Sequence, residues 1–170
     1  MVKWFASLPE AGAQVFYYLC TMKRLFFGIF LGLLLLSTTE AKAQQRLLIY
    51  GGDEHKTYLG CLNASPWDSE SIWNPTGEYG SFFRDNSIWN SYGDFGSPYS
   101  SYSPWSEVST TPPGVYDSQG RFYGYLTRNK AMPQRLTTEL AKMMYVFYDM
   151  IPKDVSKWYD KLFVEMRLGS

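Results

Sequence analysis

Ser71-Ile72-Trp73-Asn74 recurs as Ser87-Ile88-Trp89-Asn90 and fades into Ser103-Pro104-Trp105-Ser106, at an offset of sixteen residues both times. Between the first two copies the match continues, Gly77-Glu78-Tyr79-Gly80-Ser81 against Gly93-Asp94-Phe95-Gly96-Ser97. A fixed period of this kind marks a tandem array, in which each unit buries its apolar residues against its neighbours. The spacing predicts that Trp73, Trp89 and Trp105 stack as a ladder with Ile72 and Ile88 beside them. Asn74 and Asn90 are expected to bridge turns with their amides, and the glycines to supply positive φ at the corners. The third unit lacks the glycines, so the array cannot be a free-standing solenoid and must be capped by the rest of the domain. A ring of hairpins is the alternative geometry.

From Ser65 to Pro113 the chain is built of Ser, Gly, Asn, Pro and aromatics, with almost no Leu, Val or Ala and no helical period. Disordered segments are poor in aromatics, so this stretch reads as an ordered array of short extended pieces and turns. Before it, Leu47-Leu48-Ile49-Tyr50 reads as a buried strand closed by Gly51-Gly52, and Thr57 to Leu62 as a second strand. After it, Val115-Tyr116-Asp117 and Arg121 to Leu126 flank Ser118-Gln119-Gly120, the pattern of a β-hairpin. The period then switches. Leu136, Leu140, Met143, Met144, Phe147, Met150 and Ile151 follow three- and four-residue spacing behind Thr137 or Thr138 as N-cap. Val155, Trp158, Tyr159, Leu162, Phe163 and Met166 continue the period as a second helix with Pro152 near its first position and Lys153, Lys157 and Lys161 along another face. The fold class is α+β: a small β-rich domain with a 16-residue tandem repeat, a β-hairpin and C-terminal amphipathic helices.

Met22-Lys23-Arg24, the apolar run Leu25 to Leu36 and Ala41-Lys42-Ala43 have the order of a signal peptide, with cleavage expected before Gln44. The apolar run is shorter than the roughly 20 residues a membrane span needs, so no stable membrane span is expected after cleavage. Residues 1–21 then read as an upstream extension, 22–43 as the signal peptide, 44–135 as the β-rich repeat domain and 136–168 as a helical segment covering it. The expected location is exported, periplasmic or extracellular. Cys61 is the one cysteine after the leader, which excludes an internal disulfide, and its apolar neighbours favour burial.

Sixteen bases balance sixteen acids overall, but not evenly. Residues 51–107 hold eight acids against Lys56 and Arg84, whereas 121–170 hold nine bases against five acids. The aromatic-rich half is therefore the acidic one, which disfavours nucleic acid, because single-strand binding needs cations among its stacking rings.

The strings Leu48-Ile49-Tyr50-Gly51-Gly52, Tyr58 to Asn63, the Ser-Ile-Trp-Asn units, Ser101 to Trp105 and Gly120 to Thr127 resemble a group of uncharacterised exported bacterial proteins with Ser-Ile-Trp-Asn and Tyr-Gly-Ser tandem repeats. The likeness covers roughly Leu47 to Asn129 and implies no activity. Where that group carries Cys-Leu-Asn-Cys, this chain has Cys61-Leu62-Asn63-Ala64. A paired-thiol or metal role implied by the resemblance thus lacks its second thiol.

Chemistry-bearing patterns are sparse. Asp53-Glu54-His55 places three potential metal ligands in consecutive positions, which rarely aim at one point, so solvated loop charges are the expected reading. Asp68, Glu70, Glu78, Asp85 and Asp94 lie among turn oxygens without an EF-hand pattern. A Ser-His-Asp set would have to use His55, and no Gly-x-Ser-x-Gly elbow is present. A Cys61–His55 dyad has the wrong surroundings, since apolar neighbours raise a thiol pKa. No metal and no cofactor is expected. A carboxylate pair from Glu70, Glu78 and Asp94 would serve an envelope-polymer hydrolase, the alternative reading. The favoured reading is a non-catalytic binding or structural module of the cell envelope or secreted space. Tyr79, Tyr92, Phe95, Tyr99 and Tyr102 outnumber the core positions of so small a domain and are the candidate contacts to a glycan or an envelope protein. The oligomeric state is not set by the sequence.

Overall fold

Short apolar runs bounded by glycine or by tightly turned acids make the strands. The computed structural model describes residues 44–168, with side chains as far as residue 163. The signal peptide expected at 22–43, the extension expected at 1–21 and the side chain of Met166 lie outside the described residues. Strands β1 (Leu47–Gly51), β2 (Thr57–Cys61), β3 (Gly114–Asp117) and β4 (Phe122–Tyr125) form one antiparallel sheet in the order β2-β1-β3-β4. Ile49, Leu59 and Val115 are fully buried on its inner face, and Cys61, paired with Leu48, is fully buried as well. Gly51-Gly52 and a single 3₁₀ turn, Asp53–His55, join β1 to β2. Ser118-Gln119-Gly120 joins β3 to β4, where the Asp117 carboxylate accepts from the backbone N–H groups of Gln119 (2.8 Å) and Arg121 (2.9 Å).

The sheet and two helices bear out the α+β class, with two shifts in the helix boundaries. Helix α1 spans Glu139–Phe147 and is capped by Thr138, whose hydroxyl accepts from Ala141 N at 3.3 Å. Leu136 carries the helical apolar period but its N–H donates to Tyr125 O (2.8 Å), and Tyr125 N–H donates to Gln134 O (2.9 Å). That backbone is spent on the edge of β4, so the helix cannot begin before Thr138. Helix α2 spans Val155–Leu168. Pro152 does not open it, contrary to the sequence expectation. It lies in a separate 3₁₀ turn, Ile151–Lys153, and the Asp154 carboxylate accepts from Lys157 N (3.1 Å) in its place.

Between Cys61 and Gly114 the described residues form no strand; the one β contact is the isolated bridge Cys61–Ser71. The expected short extended pieces are instead consecutive turns, and a ring of hairpins has no ladder to rest on. Backbone bonds of i to i+3 type link Ser65 to Asp68, Asp68 to Ser71, Ser71 to Asn74 and Asn74 to Gly77. The same bonds link Ser81 to Arg84, Arg84 to Ser87, Ser87 to Asn90 and Asn90 to Gly93. Turns satisfy their own backbone without a sheet, which suits a segment with little β-branched content.

Burial is supplied by the indoles. Trp73, Trp89 and Trp105 are at most 2 % exposed, and their indole N–H groups donate to Leu62 O (2.7 Å), Ile72 O (2.6 Å) and Ile88 O. Their ring centroids are 5.6 and 5.0 Å apart, the second pair nearly parallel at 16°. Each indole therefore fills the core and satisfies a carbonyl of the preceding segment at the same time. Asn74 Nδ2 donates to Asp68 O and Asn90 Nδ2 to Arg84 O, both at 3.2 Å.

The role expected of the glycines is corrected. Among the described residues the positive-φ glycines are Gly52, Gly60, Gly120 and Gly124, none of them at a repeat position. Gly80 and Gly96 are required for space: a Cβ on either would lie 2.2 Å from the carbonyl oxygen of Asn74 or Asn90. The helices cover this segment, with Trp73 edge-on to Tyr159 and Phe163 and with Trp105 against Tyr148 at 6.0 Å.

Candidate functional site

The five aromatic residues predicted as contacts divide into two groups. Tyr92 and Tyr99 are 96 % and 93 % exposed. Tyr79, Phe95 and Tyr102 are half-buried against the β1–β2 end of the sheet. Tyr79 meets the ring of Tyr58 edge-on at 5.0 Å, and burial together with Glu78 and Glu70 pushes its hydroxyl pKa up. Phe95 lies over Gly51, where an added Cβ would come within 3.3 Å of its ring. Tyr102 donates its hydroxyl to Asp53 Oδ1 at 2.6 Å, a bond that raises its pKa, and its ring stands 6.4 Å from Phe95. These three rings close the seam between the turns and the sheet, leaving Tyr92 and Tyr99 as the free rings of the five.

Among the further exposed rings that escaped the sequence reading, two stand out. Trp67 is 94 % and Phe83 77 % exposed. Trp67, Phe83 and Tyr99 each stand six residues before a buried tryptophan, at the third position of the turns 65–68, 81–84 and 97–100. Backbone bonds of 3.0, 3.3 and 3.2 Å close those turns. The N–H groups of Phe83 and Tyr99 also donate to Ser81 Oγ (3.4 Å) and Ser97 Oγ (3.3 Å). The serine two residues earlier thus fixes the backbone from which the ring projects. Tyr92 and Val108, the latter 78 % exposed, share another register, three residues after Trp89 and Trp105. The signal was present, since all three positions are aromatic, but Trp, Phe and Tyr differ and string matching passes over them.

Two clefts open between the turns and the helical segment. The larger, about 650 Å³, is lined by Phe82, Pro98, Tyr148, Asp149, Pro152 and Lys153 over a floor of Trp89 and Trp105. Both indoles are 2 % exposed, so their faces are spent on each other and on Tyr148 rather than offered to a ligand. The smaller, about 450 Å³, sets Trp67 beside Pro66, Thr76, Ser156, Tyr159 and Asp160.

Of the candidate acids, Glu70, Glu78, Asp85 and Asp94 are exposed and Asp68 is half-buried. Glu70 and Asp68 both bind Arg46, at 2.6 and 2.8 Å, and the Arg46 bond holds Asp68 below the usual carboxylate range. Glu78 pairs with Arg84 at 3.7 Å. His55 Nε2 is 2.9 Å from Pro112 O, and Cys61 is buried with its thiol against Asn63 Oδ1 at 3.3 Å. Among the described residues no three His, Cys, Asp or Glu side chains converge as metal ligands, and no helix is long and apolar enough to cross a membrane. Compared with models of known families, with curated proteins and with solved structures, the chain matches none.

Proposed function

We propose that residues 65–112 are three coils of a short tandem array, closed by the β3–β4 hairpin. On this reading the domain is an exported, non-catalytic binding or structural module of the cell envelope or secreted space. It contacts a glycan or an envelope protein through aromatic rings. One observation carries the reading: Trp67, Phe83 and Tyr99 occupy the same turn position in successive sixteen-residue units and are at least 77 % exposed. Leaving three large rings in water at one register costs solvation that a purely structural array would avoid with polar residues. The hydrolase alternative has less support, because Glu70 and Glu78 are each engaged by an arginine and not opposed across either cleft.

The test is retention of the full chain on isolated cell-envelope material, with Tyr92→Ala and Tyr99→Ala compared to wild type. Loss of retention in these variants, with unchanged circular dichroism, is expected. Equal retention of wild type and both variants would remove Tyr92 and Tyr99 as the contact.

A further inference from the structure

We infer that the cleft of about 450 Å³ between the first turns and α2 binds a quaternary ammonium head, the cationic group of a choline-like solute or lipid head group. The site goes beyond the contact role argued above and does not depend on it; the two share only Trp67. Its volume lies within the range of small-ligand sites. Trp67 lines the cleft while remaining 94 % exposed, so its indole face is not spent on the core. The turn that carries it is closed by Asp68 N–H donating to Ser65 O at 3.0 Å. Tyr159 supplies a second ring, packed on Phe163 at 4.3 Å and on Trp73 at 6.1 Å. Among the described residues Asp160 is the only charged side chain in the lining, and it is exposed without an ion pair.

The polar lining selects the sign of the ligand's charge. Asn74 Nδ2 donates to Asp68 O (3.2 Å), Thr76 donates its N–H (3.1 Å) and its hydroxyl (3.0 Å) to Asn74 Oδ1, and Ser156 Oγ donates to Trp73 O (3.4 Å). These donors are turned into the fold, and among the described residues no Lys or Arg lines the cleft. Lys157, next to Ser156 in α2, stays outside the lining and makes no ion pair with Asp160. An anion would meet the Asp160 carboxylate with nothing to offset it. A calcium ion takes about six to eight oxygen ligands, which one carboxylate among proline and indole carbon does not supply. A methylated ammonium fits both features of the cleft. Its charge is spread over apolar surface that suits Pro66 and Pro75, the indole face attracts it, and Asp160 balances it.

The experiment titrates the full chain by calorimetry with tetramethylammonium, with choline, and with the neutral isostere of choline in which carbon replaces nitrogen. Both cations are expected to bind, and the isostere to bind at least tenfold more weakly. Trp67→Ala should weaken choline binding roughly tenfold, Trp67→Phe less, and Asp160→Asn roughly fivefold. Tyr99→Ala, at an exposed ring outside the cleft, should leave it unchanged. Trp67 and Asp160 are both exposed, so near-ultraviolet circular dichroism of the buried indoles verifies the fold in each variant. Flotation with phosphatidylcholine vesicles separates the two sources. Co-flotation that free choline competes away assigns the lipid head group, and choline binding without co-flotation assigns the free solute. An isostere that binds as tightly as choline, or choline affinity that survives loss of the indole or of the Asp160 charge, overturns the site. A chain that binds neither cation overturns it as well, while retention on envelope material, read separately, still decides the contact role.

Discussion

Asn74 and Asn90 each perform three tasks within a few ångströms. Their Nδ2 groups donate to the carbonyl six residues back, their Oδ1 atoms accept from the N–H of Thr76 or Tyr92 at 3.1 Å, and their own carbonyls lie against Gly80 or Gly96. Ser106, at the same register in the third unit, has too short a side chain for these roles, and its buried hydroxyl has no partner. A Cβ at Gly96 would meet backbone, which cannot rotate aside, so Gly96→Ala should cost about 3 kcal/mol. Gly120 makes the contrast: its φ is +78° but nothing lies within 4 Å of an added Cβ. Gly120→Ala should cost only about 1 kcal/mol, the penalty of a left-handed conformation. Denaturant midpoints of the two variants verify the order, and equal losses would refute the steric account. The sequence displayed these glycines but not their reason, because a close backbone approach and a positive φ both select the same residue. The exposed rings were half legible for a similar cause. Tyr92 and Tyr99 could be named from composition, whereas nothing in one sequence separates them from Tyr79, which the sheet claims through Tyr58.

The β3–β4 connection shows how one side chain fixes an element. Asp117 has no exposed side-chain surface, yet it accepts from two backbone N–H groups, from Arg121 Nε (2.6 Å) and from Gln45 Nε2 (2.7 Å). Burial alone would push its carboxyl pKa up, but the bonds from Arg121 and Gln119 outweigh that and hold it below the ordinary range. The unfolded carboxyl takes its proton at the higher, ordinary value. The stabilisation is therefore complete above that value and is lost as pH falls through the lower, folded one. Between about pH 5 and about pH 2 the wild-type denaturation midpoint should fall, and Asp117→Asn should flatten that slope. At neutral pH the variant should be the less stable, with the gap closing towards acid. A variant slope identical to wild type would mean that Asp117 is not the titrating group. At this scale the sequence reads well where a local signal decides, as with Thr138 before α1. It reads less well where backbone groups are claimed from afar, as Leu136 is claimed by Tyr125.

For the molecule as a whole, the turn segment cannot stand apart from the sheet and helices. Cys61 N–H donates to Glu70 O (2.7 Å) and Ile72 N–H to Cys61 O (3.3 Å), which ties the first unit to β2. Arg128 N–H donates to Pro104 O (2.8 Å), and the Arg128 guanidinium lies 3.9 Å over the ring of Tyr148, which itself faces Trp105. The buried apolar residues accordingly form one cluster, from Ile49 in β1 through the three indoles to Leu162 in α2. A turn segment whose two ends are both held by other elements should unfold with them, unlike long repeat proteins in which units melt independently. Trp89 lies at the middle of the stack and makes the most sensitive probe. Replacing it with Leu removes ring contacts on both sides and leaves the Ile72 carbonyl without its indole donor, at a cost of about 3 kcal/mol or more. Near-ultraviolet circular dichroism follows the stacked indoles and the far-ultraviolet signal follows the sheet and helices. In wild type the two should trace a single transition with denaturant, and in Trp89→Leu both should move together to a lower midpoint. Separate transitions, or a shift in the near-ultraviolet curve alone, would show that the indole stack and the sheet fold independently, and the single core would then be wrong.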